Sequence, residues 1–224
     1  MKIKLNMKKL FLLFTLLLSI NIQAWNLEKV GNIKAKTWNE LFEGFTSNEI
    51  YVSAGSNGEI SNVRLNFDMG LGRFSVTYVF NGTDTSQVKG LNNLRDYLDK
   101  SIRWTEIAKK NSAETQKEIG NNCGTNEVSC SATFFSNNDA KQTDFILEIK
   151  EKETFTLNEG SFYIEADEVA RLKRLLSYDQ LNKVIKESLE KNLHTSSKRF
   201  DNCSHHLWTV LDHFLVIRNI HCCE

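Results

Sequence analysis

The chain has 224 residues, 28 basic and 28 acidic side chains, 41% apolar residues, five cysteines and no proline. That length suits one domain or two small ones and buries a core without depending on covalent staples. The balanced charge, with no basic stripe, argues against a nucleic-acid partner, and the lack of proline excludes proline-rich recognition segments.

Residues 1–24, "MKIKLNMKKLFLLFTLLLSINIQA", read as a secretory signal peptide. Lys2, Lys4, Lys8 and Lys9 make a basic leader, an 11-residue apolar run covers Leu10 to Ile20, and Ala24 is a small residue at the cleavage point. The run falls short of the roughly 20 residues of a membrane span. The expectation is a periplasmic or secreted, soluble chain over 25–224, with no membrane span once the leader is removed. Loss of four lysines and no acids leaves 24 basic against 28 acidic residues, a net charge of about −4.

"TWNELFEGF" predicts a short helix, with Thr37 and Glu40 at capping-box spacing. A three-stranded antiparallel meander follows. "EIYVSA" places Ile50, Val52 and Ala54 on one face, "NVRLNFD" places Val63, Leu65 and Phe67, and "RFSVTYVF" places Phe74, Val76, Tyr78 and Phe80. A long helix is predicted from Gln87 to Asn111, with Leu91, Leu94, Leu98 and Ile102 as its apolar stripe and Tyr97, Trp104 and Ala108 widening it. The polar residues 112–122 predict a linker or mobile loop between possible halves 25–112 and 123–224.

In the second half, Cys130 to Ser136, "TDFILEIKEKETFTL" and "SFYIEA" read as strands, and "DEVARLKRLL" reads as a helix. "SYDQ" starts another helix, N-capped by Ser177 with Gln180 three residues on. A last helix is predicted from about Cys203 to Asn219. The expected class is α+β: an antiparallel meander sheet packed by helices, a loosely repeated strands-then-helix plan and a helical C-terminus, in a single domain.

Cys123 and Cys130 stand seven apart across a Gly/Asn turn. In a hairpin they face each other, so they are the expected structural disulfide of an exported chain. The tail "RFDNCSHHLWTVLDHFLVIRNIHCCE" holds the other three cysteines and four of the five histidines. On a helix His206 and His213 lie about 10 Å apart along the axis, and Cys222 and Cys223 lie about 28 Å from Cys203. These spacings do not close one metal site. His221, Cys222 and Cys223 remain as metal-ligand candidates that need help from elsewhere, and no cofactor is expected. "NGT" at Asn81 and "NCS" at Asn202 match the glycosylation acceptor pattern.

Within residues 171–211, "RLKRLLSYDQLNKVIKESLEKNL" and "KRFDNCSHHLWTVL" resemble the nucleophile-helix region of permuted papain-like thiol proteins of the NlpC/P60 type. The resemblance implies that Asn202 forms a turn presenting Cys203 at a helix N-terminus, where exposed N–H groups stabilise a thiolate. Those families take their base from a histidine upstream of the cysteine. The first histidine here is His194, so His206, one turn along the helix from Cys203, is the candidate partner.

Three functional readings follow. The favoured one is a non-catalytic binding, inhibitor or immunity-type protein whose partner is a protein or a small ligand. The second is a thiol hydrolase or acyltransferase with Cys203 as nucleophile and His206 beside it. The third is metal binding through the tail.

Overall fold

Alternation of apolar and polar residues governs most of the eight strands among the described residues. The computed structural model describes residues 27–39, 43–57, 59–68, 73–81, 85–152 and 159–191, with the backbone alone at 85–87. The strands are β1 (Glu28–Asn39), β2 (Gly44–Ser56), β3 (Ser61–Asp68), β4 (Arg73–Asn81), β5 (Thr115–Gly120), β6 (Val128–Ser136), β7 (Thr143–Glu151) and β8 (Glu159–Glu165). The helices are α1 (Thr85–Asn111), α2 (Ala166–Leu175) and α3 (178–191). The strands form one antiparallel sheet in the order β4-β3-β2-β1-β8-β7-β6-β5. Each half of the chain is a four-stranded meander followed by helix, and the halves share the sheet through β1 and β8.

One face of the sheet is apolar and closes on itself. Ile33, Ile50, Leu65, Phe67, Phe145 and Phe162 are fully buried there, with Leu91, Leu94 and Leu98 from α1. Each such side chain contributes about 1.5–3 kcal/mol by leaving water. Phe67 on β3 and Phe162 on β8 are three strand spacings apart, about 14 Å across a flat sheet. Their ring centroids are 4.7 Å apart, so the sheet is strongly curled.

The curl brings the two sheet edges together at α1. Tyr78 on edge strand β4 donates its hydroxyl to the carbonyl of Cys123, just beyond edge strand β5, at 2.9 Å. Asn93 of α1 donates to the carbonyl of Asn122 at 2.7 Å, and Tyr97 donates to the Asn122 side chain. A disulfide joins Cys123 to Cys130, with S–S 2.00 Å and Cα–Cα 5.0 Å, and both residues are buried. It fixes the loop on which α1 rests. Burial raises the pKa of the Tyr78 phenol, which keeps it a donor.

Arg95 couples α1 to the C-terminal helices. Its Nε donates to the carbonyl of Leu176 at 2.7 Å, and its guanidinium lies 4.0 Å from the Tyr178 ring centroid. Ser177 caps α3, its Oγ accepting from the Gln180 N–H at 3.3 Å.

Two expectations are overturned. "TWNELFEGF" does not open a helix: its ends belong to β1 and β2, which pair Trp38 with Phe45 and Asn39 with Gly44. Thr37, Trp38, Phe45 and Thr46 are β-favouring side chains, and pairing with a neighbour outweighed the local capping signal. The meander therefore has four strands, with β1 missed because its Lys, Gly, Asn and Ala residues carry weak strand propensity. The polar segment 112–122 is not wholly a loop either, because Thr115–Gly120 forms edge strand β5 against β6. An edge strand tolerates polar residues on both faces. The predicted helix from Cys203 to Asn219 lies outside the described residues.

Gly90 packs against the disulfide loop. A Cβ there would stand 2.1 Å from the carbonyl oxygen of Gly124. Gly→Ala in an open helix site gains about 1 kcal/mol. Here Gly90→Ala is expected to lose about 1–3 kcal/mol by overpacking, read as a lowered urea midpoint at unchanged m-value. A raised midpoint would show that α1 does not press on this loop.

Candidate functional site

β1 and β8 pair over only two residues, Lys36 with Tyr163 and Thr37 with Phe162. On one side of these pairs α2 ends the pairing. β8 stops at Glu165, and the Glu168 carboxylate in the first turn of α2 accepts the Lys34 backbone N–H at 3.1 Å. Glu165 also forms an ion pair with Lys36. On the other side each strand stays with its own meander. Trp38 and Asn39 pair with Phe45 and Gly44 of β2, while Ser161, Gly160 and Glu159 pair with Glu148, Ile149 and Lys150 of β7. The strands part, and a cleft of about 760 Å³ opens at the seam.

Aromatic side chains stand at its mouth. Trp38 is 50% exposed and Phe45 51% exposed. The Trp38 and Phe45 rings meet edge to face at 5.2 Å, and Phe45 meets Tyr163 the same way at 4.9 Å. Trp38 and Tyr163 line the cleft, and Phe45 buttresses both. The cross-strand pair of Trp38 with Phe45 fixes this cluster to rigid backbone.

The rest of the lining is polar. Thr37, Asn39, Thr46, Asn121, Ser129 and Ser161 contribute hydroxyls and amides. Thr37 and Thr46 share a hydrogen bond at 3.0 Å, and Asn48 donates to Thr37. Of the three charged lining residues, Lys150 pairs with Glu159 at 2.8 Å, and the Glu148 carboxylate keeps its charge while accepting from the Ser131 hydroxyl at 2.9 Å. Among apolar residues besides the aromatics, only Ile149 and the disulfide-bonded Cys130 join the lining.

Beside the cleft, Asp144 of β7 stands opposite Glu165 of β8. It is 3% exposed; one carboxylate oxygen accepts from the Gln142 amide at 2.8 Å, and the other, Oδ1, is buried without a hydrogen-bond partner. Burial pushes its carboxyl above the usual aspartate range. The Gln142 bond and the Lys36 charge oppose that shift, and Glu165 adds to it. The hydrogen bond from Lys36 to Glu165 raises the Lys36 pKa.

Cys123 and Cys130 come together as the disulfide, and Cys130 also lines the cleft. Cys203, His206, His221, Cys222 and Cys223 lie outside the described residues. Among the described residues no group of three His, Cys, Asp or Glu side chains is placed to hold a metal ion, and no helix is long and apolar enough to cross a membrane.

Trp38, Phe45 and Tyr163 were not singled out by the sequence. Strand alternation carried a signal for Tyr163, since Phe162 and Ile164 face the core and Tyr163 must face away. Trp38 and Phe45 were hidden by the helical pattern of "TWNELFEGF". Compared with protein-family models, curated proteins and solved structures, the chain has no significant match.

The Asp144 shift gives a pH dependence of stability. Between the ordinary aspartate pKa and the raised one, the folded state holds a proton that the unfolded chain has lost. Stability therefore falls as pH rises through that window. Asp144→Asn is expected to raise the melting temperature at neutral pH, with the gain shrinking as pH drops through the window. Parallel melting-temperature-against-pH curves for variant and parent would show that Asp144 does not titrate in this way.

Proposed function

We propose that this chain is an exported, non-catalytic binding protein and that the seam cleft is its recognition site. One observation carries the proposal: a grooved sheet face with two half-exposed aromatics, Trp38 and Phe45, gathered with the partly buried Tyr163 at its mouth. Large aromatic side chains left in water at a concave site are the usual anchors of recognition, because each brings much apolar area at little conformational cost. Strands rather than loops hold Trp38, Phe45 and Tyr163, so little ordering entropy is lost on binding.

Export is supported by the leader and by the disulfide, which persists in an oxidising compartment. An inhibitor or immunity-type role fits the same features, since such proteins act by occupying a partner and need no reacting groups of their own.

Photo-crosslinking in cells that export the chain tests the proposal. A crosslinking residue at position 45 is expected to give a discrete adduct, identified by its mass. The same residue at position 109, exposed on α1, is expected to give none. Trp38→Ala should lower the position-45 adduct about tenfold without changing the melting temperature. Equal labelling at both positions, or no adduct at either, would count against the cleft as a recognition site.

A further inference from the structure

We infer that the cleft takes a neutral saccharide, seated with a sugar-ring face on Trp38 and Tyr163 and its hydroxyls on the polar lining. This rests on the cleft being the recognition site, and it names the chemistry of the occupant.

Charge sets the first limit. Lys150 is neutralised by Glu159 at 2.8 Å, so it offers no open cation to a phosphate or carboxylate. Glu148 would repel an anion, and its carboxylate is already shared with Ser131. A cationic ligand would find a single carboxylate without a basic partner, Glu148, whose remaining acceptor positions serve a hydroxyl equally well. An uncharged occupant needs no desolvation of an ion.

Shape and polarity set the second. An acyl chain requires continuous apolar walls, and here Cys130 and Ile149 are nearly buried and the other aliphatic groups are scattered threonine methyls and the Lys150 stem. A peptide added as a strand requires an open sheet edge. β1 and β8 are both interior strands, α2 covers the side where pairing ends at Lys36, and on the cleft side they part over Trp38–Asn39 and Glu159–Ser161. That stretch is shorter than the usual strand of about five or six residues.

A sugar ring meets what remains. One face of a pyranose presents C–H groups, which pack on aromatic rings through dispersion and weak C–H contacts. Its rim presents hydroxyls that both donate and accept. Asn121 and Ser161 are lining side chains that do the same, the Ser129 hydroxyl, which donates to the Lys150 carbonyl at 3.1 Å, can still accept, and Glu148 accepts. The indole N–H of Trp38 and the hydroxyl of Tyr163 add polar edges to the stacking surfaces. A volume of about 760 Å³ lies within the range of small-ligand clefts.

The test is a titration of the ¹⁵N-labelled full chain with maltotriose, cellotriose and chitotriose at millimolar concentrations, followed by amide and indole resonances. With at least one of these sugars, the Trp38 indole and the amides of Thr37, Ser129, Ser161 and Tyr163 are expected to shift together and saturate. Trp38→Ala should weaken that binding about tenfold or more, and Glu148→Gln should weaken it while leaving the melting temperature unchanged. No saturable shift with any of the three sugars, or shifts away from the cleft, would overturn the inference. If the sugars fail while the position-45 crosslink still yields a protein adduct that depends on Trp38, the occupant is a protein and the proposed function stands. If both fail, both are wrong.

Discussion

Two residue pairs hold the halves of this molecule in one sheet. Lys36 with Tyr163 and Thr37 with Phe162 are the whole of the β1–β8 ladder, although β1 runs for 12 residues and β8 for seven. The pairing cannot extend one way, because β8 turns into α2 and Glu168 takes the next β1 donor. It does not extend the other way, because each strand keeps its own meander partner. The cleft is the geometric result. A longer ladder would close it.

So short a seam needs support, and the support is apolar. The Phe67–Phe162 contact spans the junction from inside, and α2 lies along β1 with Leu175 against Gly31. Further round, α1 joins the outer edges of the curled sheet through Tyr78, Asn93 and Tyr97 to the disulfide loop. Side-chain packing on the buried face, rather than backbone pairing, therefore unites the two meanders. The outer face is left free of that duty, which lets Trp38 and Phe45 stand half in water without loss of core.

The polar groups around the seam divide into two kinds. Those in the cleft have partners within it, an ion pair in Lys150–Glu159 and a hydrogen bond in Glu148–Ser131. Asp144, a short way along the same sheet face, is different: it is buried, it has an oxygen without a partner, and its carboxyl resists ionisation. Such a group lowers stability at neutral pH. Its position beside Lys36 and Glu165 ties that cost to the same seam that makes the cleft.

Much of the fold was legible along the chain. The alternation in β2, β3 and β4, the stripe of α1 and the Ser177 cap are local patterns whose period reports the element directly. Four-then-helix repetition was visible only loosely, because β1 and β5 carry polar or weakly strand-forming residues. The site was not legible. Trp38 and Phe45 sit in a stretch with helical spacing, and Tyr163 lies more than a hundred residues away. By itself the sequence determined the α+β class, an antiparallel meander and the faces that β2, β3, β4 and α1 would bury, because periodicity and propensity act over neighbouring residues. Tertiary structure alone decided that β1 meets β8, how briefly they pair and which aromatics gather there, because those outcomes depend on packing between segments that no local pattern links.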